Sequence, residues 1–581
     1  MPIWRGPMDT NTTASGWRWA GCAVASFAML ATACYGGKTS GPHNMASGGD
    51  GADDADDADD VDEDTGDGDD GDDGDSGADI PESPDCSDVG PRMLRRLTSA
   101  QLHRTLQTIF EDPAVPEGQV LNDPVVHGFR VDATQAVIRD LDAQQVMQYA
   151  ESIAAWAVDE KLAQVTPCQD HGAACHEQIA AELGAKFHRE PLEDEMVAAY
   201  AAVMADQVSF EDGVRELVAA LVQSPYFLYR WELGRPSADD PDRFVLTDYE
   251  LASNLAYSLT GGPPDAELMD LARDGALQDT ETLVAQVRRL TSGPEGQAHL
   301  AEFLDSWLEV EDLPSRAKAE EPGVMFDDAL RQDMLAETRA LFLDVFNSGG
   351  DVATLLTADY TFVNQRLGHF YRMWEANTED HQRMEIPTMG EGVRAPGLLG
   401  HGSVLARHAL PDNSSPVARG VLVRRRLLCQ DLPDPPADVE TTLDPIPDGT
   451  TNRERYELHT SDPACAGCHV LIDPVGFTFE HYDHFGRWRD TEGNQPVDAT
   501  GELAGVSTGT TALDGLDSLA AALAETDDAR ECFASYMAYF TYGLDECNPE
   551  AIADGSGGPD ATLASTLEAI VTAPHFRERR P

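Results

Sequence analysis

Thirty consecutive residues, Asp50 to Asp79, carry seventeen carboxylates and no basic side chain, with glycine and alanine filling most of the gaps. Such a stretch repels itself and has almost nothing apolar to bury, so it is expected to stay extended as a solvated spacer. Repeats such as Asp53-Asp54-Ala55-Asp56-Asp57 could meet calcium, but without a fixed loop that binding is weak. The tract separates a short leader from a body of roughly 495 residues beginning near Cys86, enough for several structural units. Removing the seventeen charges from the net charge of −64 still leaves −47. The body is therefore acidic in its own right, which argues against nucleic acid or an anionic membrane surface as a partner.

The leader reads as an export signal. Arg5 and Arg18 precede an apolar run from Trp19 to Ala33, too short to span a bilayer comfortably. It ends in Leu30-Ala31-Thr32-Ala33-Cys34, which resembles a bacterial lipobox with Cys34 as the lipidated residue. An ordinary cleaved signal peptide is the alternative. Either way the expected location is the bacterial cell envelope, in the periplasm or on the outer membrane surface. Tyr35 follows the cysteine where inner-membrane retention often has aspartate. No later run is apolar for the eighteen or so residues a membrane helix needs.

The body's patterning is helical. Thr98 and Gln101 make a capping box before Leu102, Leu106, Ile109 and Phe110, which share one face. Thr247 and Glu250 make a second, before Leu251, Leu255 and Leu259. Helix-period stripes also run through Val137 to Val158, Leu283 to Leu290 (stopping at Gly293-Pro294), Leu330 to Phe346 and Leu519 to Tyr542. Strand-like alternation is scarce. The expected class is a mainly α, multi-domain protein.

Chemistry concentrates at Cys465-Ala466-Gly467-Cys468-His469. Two thiols three positions apart can each form a thioether to a haem vinyl group, and the following histidine can ligate the iron. Ten cysteines and sixteen histidines would give this pattern about 0.005 times by chance. The expected cofactor is therefore haem c, held by Cys465 and Cys468, with His469 as proximal ligand. Half of a zinc site and a purely structural cysteine pair are the alternatives. Thr451 to His459 suits a short helix feeding the attachment loop. A backbone carbonyl near Ile472 to Pro474 is the expected partner for His469 Nδ1. Phe477, Phe479, Tyr482, Phe485 and Trp488 could wall the site. For the sixth position Met537 is the candidate distal ligand, with His481 and His484 as bis-histidine alternatives. An open site is the remaining outcome; His401, His408 and His459 are outside candidates.

Outside the leader and the haem pair, six cysteines remain, compatible with three disulfides in an oxidising compartment. Spacing favours Cys168 with Cys175 and Cys532 with Cys547, leaving Cys86 for Cys429, one of fifteen possible connectivities.

From Arg95-Arg96-Leu97-Thr98 to Pro581 the chain resembles the exported multi-domain proteins of planctomycetes and myxobacteria. That family is built from domains of unknown function and named for a planctomycete-type cytochrome c module. The landmarks are Phe187 to Leu192, Ser224 to Gly234, Leu246 to Tyr257 and Leu356 to Asn364. Gly397-Leu398-Leu399, Ser415-Pro416-Val417-Ala418-Arg419-Gly420, the CxxCH and Ile472 to Phe477 complete the set. Phe187-His188-Arg189-Glu190 departs from the more basic run expected there. The resemblance implies a helical body with a cytochrome c-like module, and leaves the family's activity undefined. The layout it supports is a lipoprotein signal at 1–34, an acidic linker at 35–85 and helical domains at 86–162, 163–235 and 236–385. A cytochrome c-like module at 386–504 and a helical domain at 505–581 follow.

No His-Glu-x-x-His helix or Walker-type phosphate-binding loop is present. Arg419 and Arg424 to Arg426 form the dense basic patch. It could bind haem propionates or an anionic partner, and the expected role is balancing neighbouring carboxylates. The leading function is one-electron transfer with a redox protein partner. A haem oxidase or peroxidase with an open distal site is the second hypothesis, recognisable by ligand-dependent spectra. A non-redox surface interaction or polymer-processing protein with a structural CxxCH is the third, recognisable by absence of a Soret band.

Overall fold

The structure is a computed structural model. It describes residues 89–581 except 119, 388–389, 391–392, 433–448, 460–462, 545–551 and 553–554, and the side chains of 458–459 and 463–466. The signal, Cys34, the acidic tract, Cys86 and Cys547 lie outside the described residues. The described chain is mainly α-helical. Among the described residues no helix is long and apolar enough to cross a membrane.

Short strands open the chain: β1 (Gly90–Pro91) and β2 (Met93–Arg96). Five helices follow, α1 (Ser99–Phe110), α2 (Asp140–Val165), α3 (Ala173–His188), α4 (Asp194–Ala205) and α5 (Phe210–Val222). The expected capping box starts α1: Thr98 accepts from Gln101 N while Gln101 returns to the Thr98 N–H. Its buried residues Leu102, Leu106, Ile109 and Phe110 are the predicted stripe. With Val146, Ile153, Leu217 and Phe227 they form one hydrophobic cluster, confined to Leu97–Leu228 apart from Tyr257. The Cys168–Cys175 disulfide ties the loop before α3 to its first turn, as the spacing predicts.

Three strands then return across the start: β3 (Tyr229–Glu232), β4 (Arg235–Pro236) and β5 (Phe244–Val245). The second cluster is built by α6 (Asp248–Thr260), α7 (Thr280–Ser292), α8 (Pro294–Trp307) and α9 (Asp328–Asn347). The second capping box, Thr247 with Glu250, starts α6. A hairpin of β6 (Tyr360–Val363) and β7 (Gln382–Glu385) packs on α9. The site region comprises α10 (Pro416–Leu422), α11 (Asn452–His459), α12 (Pro463–Gly476) and the hairpin β8 (Thr500–Leu503) with β9 (Thr511–Asp514).

The continuous helical pattern at Leu519 to Tyr542 is two helices, α13 (Gly515–Ala524) and α14 (Asp527–Tyr542). Thr526 breaks it by accepting from Asp528 N as an N-cap, which a periodicity count does not register. After α15 (Leu563–Thr572), the chain ends in β10 (Glu578–Arg580). There β10 runs parallel to β1 and antiparallel to β5, in the sheet order β1-β10-β5-β4. The last residues thus close the sheet that the first described residues open.

The second disulfide differs from expectation. Cys429 pairs with Cys532 across 103 residues, at a Cα–Cα distance of 5.2 Å, joining the segment after α10 to α14. The pairings Cys86–Cys429 and Cys532–Cys547 are therefore corrected. Spacing favours near neighbours, whereas here packing of α14 on the 423–427 turn brings distant cysteines together.

Candidate functional site

The CxxCH motif is helical: Cys465, Cys468 and His469 lie in the first half of α12. This helix packs closely on α10, and two glycines permit the approach. A Cβ at Gly420 would collide with the Ile472 carbonyl, and one at Gly476 with the Pro416 carbonyl. The Ser415–Gly420 and Ile472–Phe477 landmarks are thus the two halves of one helix crossing. Pro474 removes a donor near the end of α12, which stops at Gly476. As the sequence predicts, α11 precedes the motif.

His469 is partly exposed, at 19% of its side chain, and its Nδ1 stands 2.9 Å from Asp473 Oδ1 one turn along α12. Asp473 is buried. The partner of Nδ1 is therefore a carboxylate rather than the backbone carbonyl anticipated. With Nδ1–H donating to Asp473, the ring's other lone pair sits on Nε2, the tautomer that a metal ligand needs. Cys468 is a half-buried free thiol. A histidine with its second nitrogen already engaged, one residue from an available thiol, fits the donor chemistry of covalently bound haem. The side chain of Cys465 lies outside the described residues.

The basic patch serves the frame. Arg419 is fully buried and donates to four backbone carbonyls, those of Leu405, Phe479, Tyr482 and Asp483. Burial pulls its guanidinium down to about 10. Arg424 donates to the Leu471 and Ala504 carbonyls, clamping the start of the CxxCH helix's second half against the β8 region. Arg426 donates to Glu309 and to the His127 carbonyl. The expectation that this patch mainly balances carboxylates is corrected: its chief partners are carbonyls.

A buried carboxylate centre lies behind α11. Glu480 Oε2 accepts from Ser414 Oγ at 3.1 Å, Asn452 Nδ2 at 3.3 Å and Arg489 Nη2 at 2.8 Å. Burial pushes its carboxyl up, against the pull of Arg489 and Arg419. Asn452 also opens α11, so this centre fixes the helix leading to the motif. Neither Glu480 nor Asp473 was identified from sequence; in a chain with 104 acidic residues a single carboxylate carries no signal.

The sixth-ligand candidates are dispersed. Met537 is 1% exposed within α14, which packs on the 423–427 turn and α15 rather than alongside α12. His481 stacks on Trp488 with ring centroids 4.5 Å apart, its Nδ1 hydrogen-bonded to the Arg489 carbonyl. His484 packs on Phe485, and burial lowers its pKa. His408 Nε2 binds the Leu308 carbonyl at 2.9 Å, and His401 Nδ1 pairs with Thr338 Oγ1 at 3.1 Å. The side chain of His459 lies outside the described residues. Phe477, Phe479, Tyr482 and Phe485 are all core residues, with Trp488 packed against them.

A helical body that crosses one CxxCH helix over a second helix, and seats its histidine on a carboxylate, defines a multi-domain helical protein with a cytochrome c-like motif. Four family models match in chain order. Each is a protein of unknown function: DUF1587 over 95–159, DUF1595 over 175–232, DUF1592 over 246–373 and DUF1588 over 395–492. The last, PSCyt3, carries a cytochrome c-like name and contains the CxxCH. The chain belongs to this multi-domain family. No curated protein and no solved structure shows significant similarity to it.

Proposed function

We propose that the protein is an exported, lipid-anchored carrier of one covalently bound c-type haem that exchanges single electrons with a redox protein. The observation carrying this reading is the contact of His469 Nδ1 with Asp473, one residue from the free thiol of Cys468. A covalently attached haem would supply a one-electron couple tuned by axial ligands, hydrogen bonding and burial. Cys465 and Cys468 would hold it. Asp473 would fix the imidazole's tautomer and raise its basicity. Arg419 and Arg424 would keep the helix crossing rigid. The apolar residues after Trp19 and the lipobox-like run to Cys34 support export and lipidation.

The test is a pyridine haemochrome spectrum of protein exported from a host with haem c maturation machinery, beside Cys465→Ala and Cys468→Ala. Haem resistant to acid acetone in the parent, and lost or altered in the variants, is the expected result. A folded, colourless parent would overturn the reading.

The same carboxylate supports a second reading, a haem oxidase or peroxidase, because an electron-rich proximal histidine favours chemistry at an open distal position. Carbon monoxide separates the two: a six-coordinate carrier leaves its ferrous spectrum unchanged, and an open site shifts it.

A further inference from the structure

The landmarks Arg95–Thr98 and Ser224–Gly234 find no use in the haem reading, yet they converge on one buried place. β2 pairs antiparallel with β3, setting Arg95 opposite Arg230. Arg579 reaches the same spot from β10. All three guanidinium groups surround Glu232, which is 2% exposed. Arg579 Nη2 donates to Glu232 Oε2, while Arg95 and Arg230 stand 3.7 and 3.6 Å from Oε1. These three cations hold the Glu232 carboxyl down to about 2 despite its burial, and burial together with Arg95 lowers Arg230 to about 9.

Beside this centre lies a cavity of about 20 Å³, lined by Arg95, Arg96, Arg130, Arg230, Tyr257 and Ser258 among others. Arg96 is 4% exposed, and two of its bonds go to the Asn122 carbonyl and Asp123. Arg96 Nε, Arg96 Nη1 and Arg230 Nε of this lining are buried without a hydrogen-bond partner, while Arg95 Nε and Glu232 Oε1, likewise without one, face each other as an ion pair at 3.7 Å. Four buried arginines here meet two buried carboxylates, Glu232 and Asp132, with Asp123 at the edge and Glu311 outside on Arg130. Asp132 is itself taken up by Thr134, Gln135 and Tyr539. Leaving a buried donor unpaired is costly, and more so when it is charged, so Arg96 with two such atoms and Arg230 with one favour an acceptor beyond Glu232.

We propose that this cavity binds an oxyanion group, a carboxylate or phosphate, held by Arg95, Arg96 and Arg230. A guanidinium fork matches the two-oxygen edge that both anions share. The enclosed space is little more than one water requires, so an oxyanion would bind at its mouth, where Arg130, half exposed at the margin, leads to solvent. In a chain of net charge −64 a local cationic excess this well buried has no role in repelling or attracting the bulk field. It is a receptor for one negative group, free or carried on a larger molecule.

The test uses the full-length exported protein at fixed ionic strength, titrated with inorganic phosphate, acetate or chloride while thermal unfolding is followed. Saturable stabilisation of at least about 2 °C by phosphate or acetate over chloride, half-maximal in the millimolar range or below, is expected. Arg96→Gln should abolish the ion-specific part while its circular dichroism stays that of the parent. A response that never saturates, or equals that of chloride, means an adventitious ion only and overturns the proposal. If Arg96→Gln fails to fold, crystals soaked in selenate decide. An anomalous peak between Arg95, Arg96 and Arg230 upholds the site, and ordered water alone there refutes it. Phosphate against acetate distinguishes the two anion classes.

Discussion

His469 and Asp473 form a buried-edge pair, Nδ1 to Oδ1 at 2.9 Å, spanning one turn of the helix that carries the CxxCH motif. An i to i+4 spacing makes the contact intrinsic to α12, so it does not depend on a distant loop being in place. Because Asp473 is 5% exposed, its charge acts on the imidazole with little screening by water.

Removing that charge should make the haem easier to reduce. Asp473→Asn keeps a hydrogen-bond acceptor of the same shape, so haem attachment is expected to survive. The midpoint potential should rise by about 60 mV or more, a tenfold change for one electron. A spectroelectrochemical titration of parent and variant checks this; equal potentials would show that Asp473 only positions the ring.

Enlarging either glycine at the helix crossing should damage the module. Gly420→Ala and Gly476→Ala each place a methyl group against a backbone carbonyl that cannot move aside easily. Overpacking of this kind costs about 1–3 kcal/mol. The haem-to-protein ratio should fall along with the unfolding midpoint, measured by absorbance and denaturant titration.

The two disulfides should differ in weight. Cys429–Cys532 closes a separation of 103 residues and Cys168–Cys175 one of only 7. Chain entropy then predicts losses of about 4–5 and about 2 kcal/mol on replacing each pair with serine. A non-reducing peptide map should recover both bonds, leaving Cys86 and Cys547 as the remaining two cysteines of the six.

Acid should weaken the fold above the range in which carboxylates protonate. Burial pulls His188 and His408 down to about 4 from an ordinary 6.5. Between pH 6.5 and 4 the unfolded chain takes up protons at these positions and the folded chain does not, so stability rises with pH across that window. The full contribution is present above pH 6.5 and is lost progressively on the way to 4, up to about 3 kcal/mol per histidine. Denaturant unfolding at pH 7 and pH 5 measures it, and His188→Gln should flatten part of the slope.

Local signals were legible in the sequence and non-local ones were not. The capping boxes at Thr98 and Thr247, and the Cys168–Cys175 bond, depend on residues within one or two turns of each other. Cys429–Cys532 depends on where α14 docks, which no spacing encodes. Arg419 and Arg424 looked like partners for carboxylates, because the carbonyls they bind belong to the backbone and leave no trace in residue identity. Glu232 draws its arginines from positions 95, 230 and 579, brought together by the pairing of β2 with β3 and by the return of β10 at the end of the chain.

The central claim, that this helix carries covalent haem, is tested most directly by mass spectrometry of the proteolytic peptide spanning Cys465 to His469 from exported protein. The account predicts a peptide heavier by one haem, absorbing in the Soret region, and absent from the Cys465→Ala, Cys468→Ala double variant. A peptide of unmodified mass, with both cysteines free or joined to each other, would contradict it.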